Sequence, residues 1–177
     1  MNWFLLVVDL QKGFAPHIHQ WDSILDRAQT MIKAARVLEL PMTATEQNPA
    51  KLGPTVPPVA DVLSGVPIFE KMAFSSLRVP EVWNRVAALG PAHLILIGIE
   101  SHVCVLQTTL DALAMEAEIT PYLPVDAISS RRALDRDTAF RRLERAGAVL
   151  TTVESVILEI VGEAGTDQFR GVLPLIK

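Results

Sequence analysis

The chain has 177 residues, 50% hydrophobic and 20% charged, with a formal net charge of −4 and a mean hydropathy of +0.30. That length fits one domain, 1–177, with a substantial core, and the apolar balance predicts a homo-oligomer with a buried interface. The charge argues against nucleic-acid partners, no apolar run is long enough to span a membrane, and one cysteine with no basic leader predicts a cytoplasmic chain without disulfides.

Residues 3–8 (WFLLVV) are a continuous apolar run, predicted as a central strand buried on both faces and ending in Asp9-Leu10-Gln11. Trp21, Ile24, Leu25, Ala28, Met31, Ile32, Ala35 and Leu38 recur at helical spacing, which predicts an amphipathic helix over 21–39. A short second strand follows at 41–45. Residues 46–67 carry five prolines and two glycines, so this stretch is expected to be mostly irregular, a functional or interface loop. A brief strand at 66–69 leads into Glu70-Lys71. Pro80 suits the first turn of a helix that runs to about 89 and is stopped by Gly90-Pro91.

Residues 93–97 (HLILI) form another buried strand, closed by Gly98. After Ile99-Glu100-Ser101 the period changes. Val103, Leu106, Leu110 and Leu113 now mark one face of a helix with Cys104 in its first turn. A strand at 119–123, a helix over 135–146 closed by Gly147, a strand at 148–151 and a helix through Val153, Val156, Ile157, Ile160 and Val161 complete the chain, followed by a tail. This alternation predicts an α/β fold: a three-layer α/β/α sandwich over a mainly parallel six-stranded sheet.

The chemistry starts from Cys104. A lone cysteine can be an inert buried hydrophobe, but the unpaired amides and positive dipole end of a first helical turn favour a thiolate. Histidine is a poor partner for it. His102 lies two residues away on a helix and faces elsewhere, and His93 opens a strand at the far end of the sheet. His17 and His19 form an H-x-H pair that could be half a metal site, without further ligands at suitable spacing. Asp9 and Lys71, like Cys104, follow predicted strands, and the ends of parallel strands converge on one edge of a sheet. There the Lys71 ammonium would lower the thiol pKa and Asp9 would take its proton. The bland alternatives are a turn-capping Asp9 and an ordinary Asp–Lys surface pair. Amides around Glu100 and Ser101 could face an oxyanion, or Ser101 could simply cap the helix. Arg131, Arg132, Arg136, Arg141, Arg142 and Arg145 read as a solvated helix face, with recognition of an anionic substrate as the alternative.

LLVVDLQ at 5–11, EKMAFS at 70–75 and GIESHVCV at 98–105 resemble, in this order, the isochorismatase-like cysteine hydrolase superfamily, and specifically its isochorismatase-domain-containing branch. TEQNP at 45–49, LGPTVP at 52–57 and DAISSR at 126–131 support the same resemblance, which covers nearly the whole chain. It implies a Rossmann-like fold and an Asp-Lys-Cys triad, with Asp9 as general base, Lys71 as charge partner and Cys104 as nucleophile. It also implies a non-proline cis peptide at Ile99-Glu100 that turns the Glu100 and Cys104 amides toward the oxyanion. Nicotinamidases of the superfamily carry an Asp-x-His…His metal site after the second strand. This chain has no histidine there, so no metal and no cofactor are expected.

The expected function is therefore a cofactor-independent hydrolase of a small amide, working through a thioester on Cys104. Phe14, Gln47 and Phe74 are expected as pocket walls, together with residues from a neighbouring subunit. The alternatives are a catalytically inactive binding or scaffold member, a vinyl-ether hydrolase, and a redox-sensing thiol.

Overall fold

The computed structural model describes residues 2–90, 92–115 and 118–177, so Pro91, expected to help stop a helix, lies outside the described residues. The strands are β1 (Asn2–Val8), β2 (Met42–Gln47), β3 (Ile68–Lys71), β4 (Ala92–Ile99), β5 (Ile119–Pro124), β6 (Ile128–Ser129) and β7 (Val149–Thr151). The helices are α1 (Trp21–Val37), α2 (Pro49–Leu52), α3 (Pro57–Val62), α4 (Pro80–Ala87), α5 (Cys104–Ala114), α6 (Ala133–Ala146), α7 (Val153–Val161) and α8 (Asp167–Ile176).

An apolar run can be buried on both faces only if strands flank it and helices cover it. β1 meets both conditions. It lies between β2 and β4 in a sheet of order β3-β2-β1-β4-β5-β7, with β6 paired to β4 and every pair parallel. Its side chains alternate between two cores, as the two-residue repeat of a strand requires. Leu5 and Val7 pack with Ile24, Met31 and Ile32 of α1 and Val156 of α7, while Phe4, Leu6 and Val8 pack with Val82, Val105 and Leu143 of α4, α5 and α6. The three-layer α/β/α arrangement is thus present, with the short β6 as a seventh strand beyond the six expected.

The chain moves outward from β1 to β3, then crosses back to place β4 on the other side of β1. The strand order therefore reverses between β1 and β4, and an open α/β sheet has its ligand crevice outside the carboxyl ends at that point. Gly98 sits there, opposite Val8, with φ +117°, and a Cβ at this position would lie 2.0 Å from the Val8 carbonyl oxygen. Only glycine lets the two central strands approach this closely.

Two expectations fail locally. The 46–67 stretch is not mostly irregular: β2 runs on to Gln47, and Pro49 and Pro57 open α2 and α3. Proline interrupts a helix interior but fits its first turn, so the prolines there act as helix starts. The tail is also not a tail. It forms α8, whose Thr166 side chain caps the Phe169 amide and whose Val172 is buried against the α1 layer.

Replacing Gly98 with alanine should destabilise the fold by about 3 kcal/mol or more, because a left-handed backbone strain and a backbone clash add. Urea unfolding of the variant against the wild type measures this.

Candidate active site

Parallel pairing brings four strand ends to one edge. Val8 pairs with Thr45 and with Gly98, and Gln47 pairs with Lys71. Asp9 directly follows β1 with φ +55°, Lys71 is the last residue of β3, and Cys104 is the first of α5. The structure brings these three together in a buried cluster. Lys71 Nζ is 2.7 Å from Asp9 Oδ2, with both side chains fully buried, and donates toward Cys104 Sγ at 3.3 Å. The same ammonium reaches Gln47 Oε1 at 2.7 Å, the Phe74 carbonyl at 3.1 Å and the Ala73 carbonyl at 3.3 Å. Three N–H bonds face more acceptors than they can serve at once, so the thiol competes for the lysine.

The two Asp9 oxygens have different tasks. Oδ1 accepts a hydrogen bond from Thr45 Oγ1 at 2.8 Å. Oδ2 touches the ammonium but takes no well-aligned hydrogen bond, which leaves it an available proton acceptor beside the sulfur. Thr45 continues into a buried hydroxyl chain. Its Oγ1 lies 3.2 Å from Ser76 Oγ, the Ser76 amide donates to Thr108 Oγ1 at 2.9 Å, and Thr108 Oγ1 donates to the Cys104 carbonyl at 2.7 Å. The base and the helix carrying the thiol are thereby tied together from behind. Gln11 plays a similar part for Gln47: its Oε1 accepts the Gln47 amide at 2.7 Å, and its Nε2 donates to the Gln47 carbonyl at 3.0 Å and the Gly53 carbonyl at 2.7 Å. No role for Thr45, Ser76, Thr108 or Gln11 emerged from the sequence. For Thr45 the one available signal was a hydroxyl at the end of the predicted second strand.

The thiol is not activated at rest. Burial pushes the Cys104 pKa up to about 12, the Asp9 charge adds to the rise, and Lys71 opposes both without overcoming them. Lys71 thus acts on the thiol in the expected direction, but desolvation, invisible in the sequence, outweighs it. A neutral thiol stands beside the Asp9–Lys71 ion pair.

The turn before α5 contains a cis peptide at Ile99–Glu100. The Glu100 carbonyl accepts the Val103 and Val105 amides, and the Ser101 amide is paired with Ser129 of β6. Among the described residues the Glu100 and Cys104 amides donate to no protein group. A cavity of about 340 Å³ opens onto Cys104, walled by Phe14, Leu52, Phe74 and Val103, with Gln47, Glu100 and Arg131 as its polar lining. Phe14, Gln47 and Phe74 line this cavity together with Leu52 and Val103, which were not anticipated.

The histidines lie elsewhere. His93 stacks against Trp3 and Tyr122 near the opposite end of the sheet, with ring centroids 4.5 and 5.0 Å away. His102 Nδ1 contacts Ser130 Oγ at 2.9 Å, and the His19 amide donates to the Ser130 carbonyl. Among the described residues no His, Cys, Asp or Glu cluster has metal-binding geometry, and no helix is long and apolar enough to cross a membrane.

The chain is similar over nearly its whole length to proteins of one family. A model of the isochorismatase domain matches residues 4–155. Isochorismatase domain-containing protein 2 of Homo sapiens is 38% identical over 174 residues, covering 98% of this chain and 82% of that protein. A structure described as MAR1 ribonuclease from Caenorhabditis elegans is 43% identical, with a TM-score of 0.93 over 99% of this chain and 89% of that one. YcaC from Pseudomonas aeruginosa, solved with hexane-2,5-diol and covalent acrylamide, is 25% identical, with a TM-score of 0.88 over 98% of this chain and 88% of that one. With a family model covering most of its length and a full-length relative above a third identity, the chain belongs to the isochorismatase family of hydrolases.

Proposed function

We propose that the protein hydrolyses a small amide through a thioester on Cys104. The observation that carries this reading is the contact chain Cys104 Sγ–Lys71 Nζ–Asp9 Oδ2, at 3.3 and 2.7 Å, on the floor of an apolar-walled cavity.

When the substrate carbonyl reaches the sulfur, the thiol proton passes to Asp9 Oδ2 and leaves a thiolate, whose electron pair then forms the S–C bond. Lys71 then turns from the neutralised Asp9 to the sulfur, so one buried ion pair is exchanged for another without a net charge appearing in the cavity. The carbonyl electron pair moves onto oxygen, where the Glu100 and Cys104 amides receive it. As the oxyanion collapses the C–N bond breaks, and the leaving amine takes the proton from Asp9. A water then attacks the thioester, gives its proton to Asp9 and releases the acid, and the proton returns to the thiolate. Each step runs on this chain's own residues, and no metal or cofactor is required. Self-association, which would cover the exposed Met72, Phe74 and Leu134 around this edge, belongs to the same proposal.

The high thiol pKa favours a second reading, an inert cysteine in a binding protein, and three measurements separate the two. Incubation with an amide panel should release amine, with a Cys104 acyl adduct visible by intact-protein mass on rapid quenching. Cys104→Ala should lose turnover about 10³-fold or more. A protein that binds amides without either signal is the inert form.

Iodoacetamide labelling of the free protein should be slow at pH 7 and rise about tenfold per pH unit with no plateau near 9, since the thiolate fraction follows a pKa of about 12. Because Asp9 raises that pKa and Lys71 lowers it, Asp9→Asn should label faster than wild type at a fixed alkaline pH, and Lys71→Gln more slowly. Equal rates in all three proteins would refute the coupled cluster.

Thr45→Val should lower kcat about tenfold or more at little change in KM and shift the acidic limb of the pH–rate profile, with Thr45→Ser restoring both. A uniform loss in both variants would mean that Thr45 acts only through packing.

A further inference from the structure

The cavity has one polar feature the proposed chemistry leaves unused. The pairing of Ile99 with Ser129 brings the chain after β6 alongside the turn before α5, and the Ser101 amide bonds the Ser129 carbonyl. Arg131 is therefore held against Glu100. Its backbone amide and its Nε both donate to Glu100 Oε2 at 3.0 Å. That leaves the two terminal nitrogens of the guanidinium without a partner among the described residues, on a side chain 58% exposed that lines the same cavity as Cys104. A guanidinium fixed by its Nε edge and open at its terminal nitrogens is a ready two-pronged donor for a carboxylate.

The surroundings reinforce this sign. The Gly13 amide donates to the Leu52 carbonyl, which joins the segments carrying the cavity walls Phe14 and Leu52. Both segments bring an exposed lysine, Lys12 and Lys51, and neither forms an ion pair among the described residues. In a chain of net charge −4 these segments next to the cavity carry unpaired positive charge. The acidic groups facing inward, Asp9 and Glu100, are each already engaged by a cation. Such an arrangement draws anions toward the opening and orients them on entry.

We infer, on the basis of the amide-hydrolase reading above, that the preferred substrates are small amides bearing a carboxylate remote from the scissile carbonyl. Arg131 receives the carboxylate, Phe14 and Phe74 enclose the apolar middle, and the carbonyl lies over Cys104. Arg131 is then a specificity residue, the one member of the arginine cluster that lines this cavity and so carries the anionic-substrate alternative.

Succinamate and succinamide differ at one end by a carboxylate against a neutral amide, and they test this directly. The expected kcat/KM for succinamate exceeds that for succinamide by about tenfold or more. Arg131→Gln should bring the ratio near one, Arg131→Lys should keep part of it, and added salt should narrow it. A ratio near one in the wild type, or one unmoved by Arg131→Gln, overturns the inference. Calorimetric titration of Cys104→Ala with the same two compounds reads recognition without turnover. Arg131-dependent binding of succinamate by that variant, with no hydrolysis by the wild type, upholds the anion site and sinks the hydrolase reading. Hydrolysis of both amides without preference does the reverse. No binding of succinamate, or Arg131-dependent binding of a short oligoribonucleotide in its place, overturns the inference.

Discussion

The site depends on the buried ion pair between Lys71 and Asp9. Both side chains are fully withdrawn from water, and taking each charge out of water costs several kcal/mol unless a partner is fixed beside it. Neither residue can therefore be placed independently. The lysine is surrounded by Gln47 and two backbone carbonyls, and the aspartate is held by Thr45. These contacts fix the pair, and the pair in turn fixes the electrostatic setting of the sulfur. At Cys104 burial dominates, Asp9 adds to it and Lys71 opposes it, so the thiol stays protonated in the free protein.

A resting thiol suits this arrangement. A permanently ionised sulfur beside Lys71 would leave the Asp9 charge to repel it in a dry cavity. In the proposed mechanism, exchanging the Asp9–Lys71 pair for a Cys104–Lys71 pair before the S–C bond forms would move a proton over a short distance and create no new net charge. The buried hydroxyl chain from Thr45 through Ser76 to Thr108 keeps donor and acceptor at that distance, because it links the base to the first turn of α5 by short hydrogen bonds. Rigid positioning of this kind comes from secondary structure on both sides: β2 supplies Thr45 and α5 supplies Thr108.

The walls of the cavity are built differently from its floor. The floor lies at the reversal of strand order, where glycine at 98 permits the closest approach of β1 and β4. The walls come from loops and short helices: Phe14 after β1, Leu52 of α2, Phe74 after β3 and Arg131 before α6. Loops can vary without disturbing a sheet, so members of one family can share a floor and differ in what they admit. The proline-rich stretch matters in this respect. Its prolines start two short helices instead of disordering a loop, and one of them presents Leu52 to the cavity.

Much of this was legible in the residues themselves. The doubly buried runs at 3–8 and 93–97 required flanking strands, and helical spacing placed α1, α5, α6 and α7 to within a few residues. Asp9, Lys71 and Cys104 could be singled out because each follows a strand, and parallel strands end at a common edge. The 46–67 helices and α8 escaped because short segments carry little periodicity and proline reads as a breaker until its position in the turn is known. The protonation of Cys104, the sharing of tasks between the two oxygens of Asp9, and the meeting of Arg131 with Glu100 were not legible at all. Local pattern determines which residues lie inside and which end strands. Desolvation, hydrogen-bond partners and charge balance depend on side chains brought together from distant parts of the chain, and the tertiary structure alone decided them.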